Sequence, residues 1–342
     1  VVSGSADRTV RVWDVATGDC VHTLRTHTNQ VNSTAFLPDG QTLISVGRDR
    51  KVLFSTVGTA EGSRDVRERC ERGVEVLALA IAAENGRVAA GGRDSKVCIW
   101  TPDGNTCAAT LSGHAAEVLA VGWSPDGRRL ATGGKDNTVR VWDARSNELL
   151  CSAHGLAAWV NAIEWIPDGK QVAVGLENTE CALFYANDGV RATSASTRYT
   201  RGLAVNGAKE QLLALGEGST VHIWNVALYK TAAVLSTGGA AVTSISFNFD
   251  GSLVVAGCVD AMLRVFAATG GGCIRMLAGH NDRVTSVRFF DYHATTTGKI
   301  DDDECDGVAD AAEAASVNVA AEAATTAAAA VMGLGDGSTS TK

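Results

Sequence analysis

The stretch Ala6-Asp7-Arg8-Thr9-Val10-Arg11-Val12-Trp13-Asp14 returns as Lys135-Asp136-Asn137-Thr138-Val139-Arg140-Val141-Trp142-Asp143. Weaker copies put a turn residue at Asp7, Asp49, Asp94, Asp136, Asn178, Gly218 and Asp260, in steps of 42, 45, 42, 42, 40 and 42 residues. Six residues after each stands Trp13, Ser55, Trp100, Trp142, Phe184, Trp224 or Phe266. A second marker, Phe36, Ile81, Trp123, Trp165, Val205 or Phe247, lies thirteen residues before the turn position. Such a period means a small unit stacked on copies of itself, because one copy cannot bury its own apolar face.

Behind three of these second markers comes Pro38-Asp39-Gly40, Pro125-Asp126-Gly127 or Pro167-Asp168-Gly169, so three of the four prolines fill one slot. Proline presets φ for the first turn position, and glycine accepts the positive φ that closes the hairpin. Between turns the text reads as strands. Thr138-Val139-Arg140-Val141-Trp142 alternates with period two, whereas Val118-Leu119-Ala120-Val121-Gly122-Trp123 is apolar throughout, as for an inner strand covered on both faces. Four short strands per 42 residues or so is the spacing of a propeller blade. The predicted fold is all-β, a seven-bladed β-propeller of four-stranded antiparallel blades over residues 1–290. Blades I to VII are numbered here after the seven turn positions in chain order.

Over this length the sequence resembles the WD-repeat family, on Gly113-His114…Asp136…Trp142-Asp143, with Gly279-His280 and Asp7…Trp13-Asp14 as the next match. The resemblance implies a network in which the turn Asp engages the His, and the His a strand Ser or Thr that also meets the Trp indole. By position blade IV has His114, Thr132, Asp136 and Trp142. Blade I has His280, Ser3, Asp7 and Trp13, assembled across the two ends of the chain. Other blades depart from this pattern. Blade II has His27 and Ser45 but Ser55 for Trp, blade III has Arg72 for His, and blade VI has lost the carboxylate. Apolar packing is expected to hold such blades.

The chain enters on the second strand of a repeat, at Val1, and its regular part stops on a first strand within residues 280–289. Pairing of these terminal strands would close the ring and remove an open sheet edge. Without an initiator Met, upstream residues are a further possibility, and 280–289 would then open an eighth blade or a second propeller. Residues 291–342 are an acidic, Ala-rich tail containing Asp301-Asp302-Asp303-Glu304, expected to be disordered.

Composition narrows the function. The tail holds ten acids and two bases, so the remaining 290 residues balance at 28 of each. A neutral body speaks against a general nucleic-acid binder. No apolar run approaches the roughly 20 residues of a membrane span, and Val1-Val2-Ser3-Gly4 turns polar at once, so neither membrane nor signal peptide is expected. Nine cysteines form no C-x-x-C pair, and free thiols suit an intracellular setting, cytoplasmic before nuclear. Cys20, Cys107 and Cys273, seven residues after Trp13, Trp100 and Phe266, read as small buried side chains. His27, His114, His154 and His280 fall in the family's structural slot on separate blades and do not converge as metal ligands. His22, His222 and His293 are isolated. With no phosphate loop, G-x-S-x-G elbow or H-E-x-x-H helix, the sequence assigns no catalytic, metal or cofactor residue and reads as a non-enzyme.

What remains is surface, and in the family the usual docking rim carries the turn before each inner strand and the turn with the Asp. Just before the turn position stand Ala6, Arg48, Arg93, Lys135, Glu177, Glu217 and Val259, three successive bases and then two acids. Trp159 and Tyr199 flank inner strands, with Arg201 and Arg283 near; a two-residue insertion between His154 and Val160 is expected to push Trp159 outward. An arc of positive charge ending at an aromatic anchor suits an acidic or phosphorylated peptide. The expected function is a monomeric scaffold or adaptor subunit that binds other proteins on this rim. The alternative is an RNA-processing or chromatin module using the basic arc of blades II–IV.

Overall fold

Each repeat folds as its own four-stranded antiparallel sheet, seven sheets in all. The computed structural model describes residues 1–57, 66–71, 73–102, 107–177, 180–196, 201–206, 212–228 and 230–290. Short hairpins join successive strands, so sheets run in chain order from an inner strand to an outer one. In blades I to VII the inner strands are Val284–Arg288, Val31–Phe36, Val76–Ile81, Val118–Trp123, Val160–Trp165, Leu203–Val205 and Val242–Phe247. They pack side by side in that order and back to the first, around a central channel.

Blade I joins the chain's two ends. Val2–Ser5 pairs antiparallel with Val284–Arg288, setting Val2 opposite Arg288, Ser3 opposite Val287 and Gly4 opposite Ser286. Val284–Arg288 is thereby the inner strand of this sheet. Blade VI is the least regular. Its inner strand has three residues and lacks the register shift found on this strand pair in the other six blades. Its turn is a two-residue hairpin, Gly218-Ser219, between the paired Glu217 and Thr220.

Blades meet through a repeated close approach. A side chain on Gly4, Gly91 or Gly257 would come within 2.7 Å of Val31, Val118 or Val284, the first residue of the next blade's inner strand. Gly133 takes Val160 in the same manner. These valines are fully buried, and the apolar clusters run from blade to blade: Val160, Ile163 and Trp165 of blade V pack with Ala131, Val139 and Val141 of blade IV.

The outer strands correct one expectation. Cys107 and Cys273 are exposed and Cys20 is only partly covered. Each begins an outermost strand, where a register shift sets it opposite Trp100, Phe266 or Trp13, and no further strand lies beyond. Among the described residues the buried cysteines are Cys181 and Cys258.

Deleting residues 280–289 should strip blade I of its inner strand and leave Val2–Ser5 unpaired, giving insoluble or non-cooperatively melting protein. A soluble variant with a sharp thermal transition would show that the ring does not depend on this pairing.

Candidate docking face and the networks that hold it

In blade IV, His114 Nδ1 lies 2.9 Å from Asp136 Oδ2, and its Nε2 lies 2.8 Å from Thr132 Oγ1. The Trp142 indole N–H donates to the same hydroxyl at 2.9 Å. Blade I repeats the arrangement across the termini: His280 is 3.1 Å from Asp7 and 2.7 Å from Ser3, and the Trp13 N–H donates to Ser3 at 2.8 Å. Glycine before the histidine makes room, since a side chain on Gly113 or Gly279 would strike Trp142 and Arg140 or Trp13 and Arg11. Blade II has His27 between Asp49 and Ser45, each at 2.8 Å, while Ser55 leaves its buried hydroxyl without a hydrogen-bond partner.

The aspartate has a second, local task. Its Oδ1 accepts the N–H two residues on, from Thr9, Lys51, Lys96, Thr138 or Met262, in five blades. The intervening residue takes a left-handed φ of 55 to 71°, unfavourable for Arg8, Arg50, Ser95 and Ala261. Asp94 and Asp260 therefore fix their turns even where no histidine engages them. Arg72 and Asn178 lie outside the described residues.

Electrostatics follow from burial. Burial pushes the Asp7 carboxyl up, but hydrogen bonds from the Thr9 hydroxyl and the Asn281 and Thr9 N–H groups, with His280, bring it down to about 2. Asp49 and Asp136 are likewise held low against burial. Burial moves His114 and His280 below the ordinary imidazole value, outweighing their aspartates. These are neutral histidines.

His154 does not occupy the slot assigned to it. It is exposed and bonded to Ser152 at 2.6 Å. Ala153 pairs with Val139 as Leu111 pairs with Val97, which puts His154 at the strand end and Leu156 in the place of His114. No insertion precedes Trp159 either. Val160 is set opposite Leu176 as Val118 is opposite Gly134, and the Trp159 carbonyl accepts the Glu177 N–H at 2.9 Å as that of Glu117 accepts Lys135. The indole is 43% exposed because it stands at a regular rim position.

The same backbone bond pairs Arg48 with Gln30, Arg93 with Glu75 and Ala6 with Arg283, so two residues from each blade stand together on the rim. This pairing alters the expected arc. Arg93 lies 3.2 Å from Glu75 and 2.9 Å from Glu117; Lys135 reaches Glu117 at 2.5 Å and sits 4.8 Å from the centre of the Trp159 ring. Lys135 and then Arg93 hold the Glu117 carboxyl below its usual range. Arg201 is 3.8 Å from Glu177. Arg283 donates to Gln30 at 3.1 Å, and among the described residues Arg48 has no ion-pair partner. Blades III to VI thus carry alternating charge, with an aromatic ring on blade V, in place of a positive arc. Glu75 and Glu117 stand nineteen residues ahead of their turns, the slot that Trp159 fills in blade V. Tyr199 and the Asp301–Glu304 cluster lie outside the described residues.

The family description "WD domain, G-beta repeat" matches residues 1–14, 18–54, 105–143 and 230–266. Three of these segments hold the turn aspartates of blades I, II and IV, the blades with a histidine network. The "WD repeat-containing protein 91 homolog" of Dictyostelium discoideum is 39% identical over 69 residues, 20% of this chain and 9% of that protein. "Nuclear distribution protein PAC1-2" of Uncinocarpus reesii is 35% identical over 133 residues, 33% of this chain and 29% of its own. The "Lissencephaly-1 homolog" of Heterostelium pallidum is 31% identical over 100 residues, 29% and 24% of the two chains. The chain thus spans less than a third of the length of each of these relatives.

Asp136→Ala should cost about 1–3 kcal/mol, since the His114, Ala115 and Thr138 donors lose their acceptor; denaturant titration checks this, and a cost near zero would remove the network from the fold's support. Acid should destabilise the ring in two stages of one sign. Unfolded His114 and His280 take up protons below about 6.5 while their folded forms resist, so stability falls as pH drops through that value. The Asp7 contribution is complete above the ordinary carboxylate range and is lost as pH falls towards about 2. Melting temperatures at pH 7.5, 5.5 and 4 should fall in that order; a flat series would contradict both assignments.

Proposed function

We propose that this seven-bladed propeller, four segments of which match the WD repeat, docks a segment of a partner protein on the rim of blades IV to VI around Trp159. The observation that carries this reading is the exposed indole of Trp159, backed by Lys135, on a residue whose main-chain carbonyl accepts the Glu177 N–H. A rigid, half-exposed Trp beside a cation is the kind of group that dominates interface energetics. The partner would supply one bulky apolar side chain against the ring. An acidic or phosphorylated residue beside it would take Lys135 from Glu117, or Arg201 from Glu177, replacing an internal pair by one across the interface. Exposed pairs of this kind are each worth about 0–1 kcal/mol, so the exchange sets register more than affinity.

The nucleic-acid alternative fits less well, because phosphate binding calls for cations without carboxylates and Arg93 and Lys135 share Glu117. Similarity to nuclear distribution proteins extends over a third of this chain, which supports the shared ring more than a shared partner.

A photo-crosslinking residue at position 159 should capture a partner that the same residue at Val234, on the outer strand of blade VI, does not. Trp159→Ala should speed dissociation of that partner at least about tenfold while leaving the melting temperature in place. Equal capture at both positions, or an unchanged off-rate, would place the docking surface elsewhere.

A further inference from the structure

The described ring concentrates charge in its channel. Residues 1–290 balance acids against bases, yet the channel is lined by four arginines, Arg48, Arg201, Arg283 and Arg288, and one glutamate, Glu164. At the lip, Arg283 and Arg48 flank Gln30, one bonding its side chain at 3.1 Å and the other its carbonyl at 2.9 Å. Arg201 stands at the lip on blade VI.

The far end is built differently. In six blades one register position, opposite the residue five before the turn, is held by Ala35, Ala80, Gly122, Glu164, Ser246 and Arg288. Four are small. The two long ones come from blades V and I, which are not neighbours, and they meet across the channel at 3.2 Å. This bridge spans the channel, and the cavity that both side chains help to line has a volume of about 320 Å³. Its walls are polar, and among the described residues the Asn161 amide and the Ser33 hydroxyl, both lining it, have no hydrogen-bond partner.

We infer that the channel is a binding cup for a small organic phosphate, a phosphate monoester on a hydroxylated skeleton. Guanidinium groups at the lip match phosphate oxygens in geometry and charge. Unpaired amide and hydroxyl groups below them suit hydroxyls and exclude an apolar ligand, whose entry would strip them of water. The volume lies at the small end of the roughly 300–1,000 Å³ of ligand pockets, and the bridge narrows the channel at that position. Arg201 is common to this site and the docking reading, but Trp159 belongs to the docking reading alone.

Calorimetric titration of the full chain at fixed ionic strength tests it with ribose 5-phosphate, inorganic phosphate, sulfate and a phosphoserine peptide. Ribose 5-phosphate should bind saturably at one equivalent, inorganic phosphate more weakly, and sulfate without saturation. Arg48→Ala with Arg283→Ala should weaken the sugar phosphate at least about tenfold. Asn161→Leu, which leaves every arginine in place, should do the same, whereas Trp159→Ala should change nothing; a melt of each variant verifies folding. The inference is overturned by no saturable binding, by sulfate binding as tightly as the sugar phosphate, by binding indifferent to these substitutions, or by a phosphoserine peptide that binds where ribose 5-phosphate does not.

Discussion

Where Val31, Val118 and Val284 begin an inner strand, the previous blade offers Gly4, Gly91 and Gly257, and no side chain would fit between them. This approach lets flat sheets pack as a ring, because each blade's valine fills the gap its neighbour leaves. The apolar core follows as a set of clusters between blades, with Trp165 of blade V covering blade IV and Trp123 covering blade III. A blade is thus stable only against its neighbours, and closure of blade I by the chain's two ends completes the series.

Polar order is built on top of that packing and is uneven. Turn aspartates hold their hairpins in five blades, but a histidine joins them in only three of the described blades, I, II and IV. The local bond needs residues two apart in sequence and survives divergence easily. The longer network needs a histidine from the preceding loop, a hydroxyl and an indole to arrive together, and a shift of two residues, as at His154, leaves it unmade. Blade VI has abandoned the carboxylate and taken a two-residue turn, and its inner strand is correspondingly short.

The rim shows how little a charge means without its neighbours. Arg48, Arg93 and Lys135 share one register, yet Arg93 and Lys135 face Glu117, whereas among the described residues no carboxylate pairs with Arg48. Among the described residues the face is consequently a mosaic of paired charge around the exposed Trp159, and Arg48 turns up at the channel lip.

The sequence by itself determined the period, the strand order and the membership of the blade I and blade IV clusters. Period-two alternation and fixed turn chemistry are local properties, and forty-odd residues of repetition make them hard to misread. Even the split blade was legible, because Val1 aligns with Leu130 and residues 280–289 with an inner strand. Only the tertiary structure decided which side chains meet across blades. Glu75 and Glu117 reach Arg93, Glu164 reaches Arg288, and Leu156 takes the histidine slot of blade V, each through separations that depend on the curvature of the ring and the registers of its loops. The repeat fixes each blade locally, whereas charge pairing and the channel arise from how seven blades are brought together in space.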